Sequence, residues 1–192
     1  LTVLGDNTSQ CRFTTHLYDP DSDDYVSAKT WAISATGSET EWQSWQSIQI
    51  LKNEPQIATI RLTTHYDATN KDGRLVFDIT MKRGARHLEF VASQWQAQQL
   101  NLKSTTVLAG TNATGYVIAS ASDGQGNKYI IGTPSTYTAD TTNLGIEVSG
   151  STAVKGFIGG EIGTSASGAN TADSIRDQYI DSIFETVRVV KS

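Results

Sequence analysis

The chain carries a single cysteine among its 192 residues, so Cys11 has no intrachain partner and a disulfide-stapled scaffold is excluded. The fold must rest on a packed core. Basic residues are also scarce: 15 Lys and Arg stand against 20 Asp and Glu, for a net charge of −5. No basic stripe is present, which argues against a nucleic-acid partner, whose phosphates would require one. Long apolar runs are missing too. Nothing approaches the roughly 18 residues of a membrane-spanning helix. Leu1-Thr2-Val3-Leu4 is too short for the apolar region of a signal peptide. The expectation is a soluble chain with no membrane insertion. A nucleophile elbow, a phosphate-binding loop, a dinucleotide fingerprint and cysteine-based zinc spacing are all absent. The initial residue is Leu1 rather than methionine, from which we expect residues 1–192 to be one domain cut from a longer polypeptide.

What remains is 38% hydrophobic and 18% charged, with 16 Gly, 3 Pro and a polar fraction dominated by Ser, Thr, Asn and Gln. That balance suits a β-sandwich with wet outer faces and excludes disorder. The clearest pattern runs from Gln56 to Trp95. Ile60 and Leu62, then Leu75, Phe77, Ile79 and Met81, then Leu88 and Phe90 alternate with polar residues at a period of two. Turn signals separate them at Asn70-Lys71-Asp72-Gly73 and Lys82-Arg83-Gly84-Ala85, where glycine can supply the positive φ of a tight hairpin. This predicts an antiparallel meander with one buried face.

Further strands are predicted over 10–18, 30–35, 45–52, 104–109, 116–121, 128–132, 144–148, 154–158 and 184–190. About a dozen short strands at this spacing predict an all-β, antiparallel, jelly-roll or concanavalin-like sandwich. One helix is expected, from Thr171 to Ser182, capped at Asn170 or Thr171, with Ile175 and Tyr179 on one face, just before the last strand.

Three groups of residues carry candidate chemistry. Asp19, Asp21 and Asp23 occupy alternate positions of an acidic turn and would suit a calcium ion; an ordinary solvated turn is the competing reading, and no cofactor is expected. Trp42, Trp45 and Trp95 sit in polar surroundings and would serve as stacking platforms for sugar rings, against packing between sheets or at a subunit contact. His65 beside Tyr66, and His87 beside Arg86 and near Glu89, are the residue types that polysaccharide lyases use. Neighbours on a strand point to opposite faces, however, so neither adjacent pair shares a cleft, and a lyase or hydrolase ranks third.

Two blocks resemble segments of minor tail and other virion structural proteins of tailed bacteriophages: Asp78-Ile79-Thr80-Met81-Lys82-Arg83-Gly84-Ala85-Arg86-His87-Leu88-Glu89, and Glu185-Thr186-Val187-Arg188-Val189-Val190-Lys191 after the predicted helix. The resemblance covers about a fifth of the chain and contains no catalytic motif. It implies a non-enzymatic virion module with a sandwich fold, other virion subunits as partners, and repetition as a homo-oligomer in a symmetric assembly. Contact with a surface glycan is compatible with it, as is an extracellular location.

Overall fold

The computed structural model describes residues 2–4, 11–19, 21–36, 45–65, 74–85, 87–93, 99–105, 110–112, 117–122, 127–133, 138–140, 144–149 and 153–161. The predicted helix, the last predicted strand and the Asn70–Gly73 turn lie outside them. Among the described residues all helical or strand structure is β. The strands are β1 (Thr2–Leu4), β2 (Cys11–Asp19), β3 (Asp24–Thr36), β4 (Ser47–Glu54), β5 (Ile57–His65), β6 (Arg74–Lys82) and β7 (His87–Ser93). They continue with β8 (Gln99–Ser104), β9 (Gly110–Asn112), β10 (Val117–Ser122), β11 (Lys128–Thr133), β12 (Thr138–Asp140), β13 (Gly145–Ser149) and β14 (Val154–Glu161).

They form two antiparallel sheets, as expected of a β-sandwich. The smaller has the order β1-β2-β3-β8-β13-β12 and the larger β4-β5-β6-β7-β14-β11-β10-β9. The predicted meander is β5-β6-β7, with β4 added on its free side. The chain changes sheets between β3 and β4, β7 and β8, β8 and β9, β11 and β12, and β13 and β14. Distant segments such as β7 and β14 therefore become neighbours, the Greek-key habit of jelly rolls.

Alternation decides which residues meet inside. Across the larger sheet, Leu62, Phe77, Ala92 and Val154 stand in register and are all buried. The next row is Ile60, Ile79, Phe90 and Gly156. Across the smaller sheet, Cys11, Ile33, Leu102 and Ile146 form the facing row. Of the alternating apolar residues of the meander, Leu62, Leu75, Phe77, Ile79 and Phe90 are buried, Ile60 and Leu88 are partly buried and pack against them, and Met81 is half-buried. Phe77 is the joint between layers: its ring stacks on Phe90 at 5.2 Å and meets Phe13 of the smaller sheet at 5.7 Å and Trp45 at 6.3 Å.

Polar groups in the seam are satisfied locally. The Trp31 indole N–H donates to Thr15 Oγ1 at 2.9 Å. Buried Lys29 sets its ammonium 5.1 Å from the centre of the Tyr129 ring, a cation–π contact that also spans the two sheets.

Two glycines have specific reasons to be glycine. Gly84 closes the β6–β7 hairpin at φ 78°, as the turn signal predicts. Gly156 lies under Phe90: a Cβ there would come within 2.3 Å of the ring and 2.6 Å of the Gly132 carbonyl oxygen.

Phe77→Ala is expected to cost roughly 3–5 kcal/mol in denaturant unfolding, the range for emptying a buried aromatic site. An unchanged midpoint would contradict the assigned face. Gly84→Ala should cost about 1–2 kcal/mol, because the left-handed backbone penalises Cβ although nothing lies within 4 Å of it. Gly84→Asn should cost less, since asparagine tolerates that region; equal losses for the two variants would count against a conformational cause.

Candidate functional site

Four surfaces carry chemistry, and their geometry separates structural from available groups. On the outer face of the larger sheet, Arg61 and Asp78 stand directly opposite each other on β5 and β6. The guanidinium donates from Nε and Nη2 to the two carboxylate oxygens at 2.7 and 2.8 Å. Beside them the Thr59 and Thr80 hydroxyls pair across the same strands at 3.1 Å. Farther along, Glu89 accepts from Lys82 Nζ at 2.5 Å and lies 3.8 Å from His87 Nε2. These are ladders of complementary neighbours that stabilise strand pairing.

Of the acid–base candidates, His87 and Glu89 do share a face, because they are two apart on β7. Tyr66 and Arg86 lie outside the described residues, and His65 ends β5 opposite Arg74. His87 is half-buried, with its ring edge-on to Phe157 at 6.3 Å. Burial lowers its pKa below the ordinary 6.5; attraction to Glu89 opposes the shift, and repulsion from Lys82 adds to it.

At the tip between β2 and β3, the acidic turn is closed by its own side chains. Asp19 Oδ1 accepts from the Asp21 N–H at 3.0 Å and Asp19 Oδ2 from the Ser22 hydroxyl at 2.9 Å. Asp23 takes φ 54°, a conformation that aspartate tolerates. Both oxygens of Asp19 are thus engaged in the turn, and Asp21 and Asp23 are exposed. Among the described residues no group of three or more His, Cys, Asp or Glu gathers closely enough to hold a metal ion, so Asp19, Asp21 and Asp23, the candidate calcium ligands, do not converge on one centre in this structure. The adjoining Tyr25 is 65% exposed and meets His16 edge-on at 5.8 Å.

The tryptophan expectation also needs correction at one position. Trp45 is only 8% exposed, lies in the core cluster, and donates its indole N–H to the Arg12 carbonyl at 2.9 Å. It ties the start of β4 to β2 and has no face for a sugar. Its polar neighbours in sequence concealed this, because Trp45 precedes the strand and its burial depends on the opposite sheet. Trp42 and Trp95 lie outside the described residues.

The fourth surface is β4, which is exposed along its whole length. Ile48, Ile50 and Leu51 are 56%, 70% and 48% exposed. Ile48 pairs with Leu62 and Ile50 with Ile60, so both lie on the core-facing side of the sheet. Alternation alone would bury them. Both are exposed all the same, so alternation within the strand does not report their environment. No protein-family model matches the chain, and no curated protein or solved structure matches it significantly.

The His87 environment gives a signed pH dependence. Because the folded-state pKa lies below the unfolded value, unfolded chains bind more protons as pH falls below 6.5, and His87 then subtracts stability down to its lowered folded value. His87→Gln should flatten the rise in unfolding free energy between about pH 5 and 7 relative to the parent. Identical pH profiles would show that His87 titrates alike in both states.

Proposed function

We propose that the chain is a non-enzymatic structural module of a virion, of the tailed-phage type, that works through contacts with other protein subunits. The observation that carries this reading is β4, where three large apolar side chains are presented to solvent on an edge strand. A long apolar edge is an aggregation hazard unless a partner covers it. The charged groups of the outer face point the same way, since Arg61 with Asp78, and Lys82 and His87 with Glu89, are engaged with one another. The resemblance of the β6–β7 hairpin to virion proteins supplies the setting.

A carbohydrate-binding sandwich is the second reading. Tyr25 favours it, as an exposed ring beside carboxylates at a hairpin tip, the arrangement of stacking face and hydrogen-bond acceptors that sugars use.

Quantitative mass spectrometry of purified particles from a source encoding this chain should find it at fixed stoichiometry with other virion subunits. Recovery only as free protein, combined with glycan-array binding lost in Tyr25→Ala, would replace the assembly reading with the sugar-binding one.

A further inference from the structure

We infer that β4 joins two copies of this chain edge to edge, in an antiparallel pairing centred on Gln49. The inference deepens the assembly reading and rests on it. The choice of partner follows from the edges available. Among the described strands, the two sheets end in β4, β9, β1 and β12. The last three are three residues each, whereas β4 has eight. Against the described residues of β9, β1 or β12, β4 would find partners for only three of its eight residues. A second β4 matches it in length, and pairing like with like gives a closed twofold contact rather than an open stack.

The register follows from the irregularity in the strand. A β-bulge falls between Ile50 and Lys52, so regular geometry runs from Ser47 to the bulge at Leu51, and Gln49 is its midpoint. Centring there sets Ile48 opposite Ile50 of the second copy, and Ile50 opposite Ile48. Those are apolar cross-strand pairs on the core-facing side. Gln49 meets itself, and Ser47 falls opposite Leu51. Charge also fits: Lys52 keeps its own Glu54 at 3.3 Å, and no like charges are opposed. Sliding the centre to Lys52 would set two ammonium groups against each other. The twofold axis stands perpendicular to the sheet, so the core-facing sides of both copies face the same way and their four isoleucines form one continuous apolar strip.

Sedimentation equilibrium of the purified chain should give a mass twice that of one chain. Ile50→Lys, at an exposed position that leaves folding intact by circular dichroism, should weaken the dimer by about tenfold or more. The register is tested by charge exchange. Ile48→Lys combined with Ile50→Glu places opposite charges across the interface and should recover much of the association, whereas Ile48→Lys with Ile50→Lys should not. Gln49→Cys should form a covalent dimer on mild oxidation, and the exposed control Gln56→Cys should not. A folded chain that is monomeric at every concentration, a dimer indifferent to Ile50→Lys, or equal crosslinking of the two cysteine variants would each overturn the inference. A monomer nevertheless found in particles would overturn self-pairing alone; a β4 dimer never found in particles would overturn the virion setting alone.

Discussion

The fold depends on the contact between Phe77 and the layer above it. Strand pairing makes each sheet, but it does not make two sheets adhere; that requires apolar area shared across the gap. Phe77 supplies it from β6 of the larger sheet, touching Phe90 in its own layer, Phe13 in the other, and Trp45 just ahead of β4. The indole N–H of Trp45 is bonded to the Arg12 carbonyl, so the ring enters the core without an unsatisfied donor. The same group of rings therefore fixes the separation of the layers and the point where the chain enters β4.

That arrangement seats β2 of the smaller sheet over β6, two strands in from the β4 edge. Ile48 and Ile50 keep the register of core-facing residues opposite Leu62 and Ile60 and are exposed nonetheless. The aromatic contacts between the layers are made at β6 and just ahead of β4, not along β4 itself.

Much of the architecture was legible because alternation is a local signal. The strands β5, β6 and β7 fall where the alternation between Gln56 and Trp95 puts them, and Gly84 has the positive φ its turn demanded. Where the signal is weak the reading slipped. No strand was expected over 99–103, where β8 runs, because Leu100 and Leu102 alternate with Asn101 and Lys103 in a segment too short and polar to stand out; most of the strand expected over 104–109 lies outside the described residues. The three-residue strands β1, β9 and β12 have too few side chains to show any period. The site was less legible still. Trp45 is buried where an exposed stacking face was expected, and Ile50, core-facing by register, is exposed, because both outcomes depend on what the opposite layer covers. Asp19, Asp21 and Asp23 had ligand chemistry in their types, but hydrogen bonds within the turn decided where Asp19 pointed.

Gly156 and Phe90 share one volume across two strands that meet only after the chain has folded back on itself. The ring takes one side of the space that a side chain at position 156 would need, and the Gly132 carbonyl oxygen takes another. Relatives of this chain should therefore keep glycine at 156 even where a smaller residue replaces the phenylalanine at 90, because backbone cannot withdraw as a ring can. That glycine would mark where β14 lies between β7 and β11 in descendants too diverged for the alternation itself to be recognised.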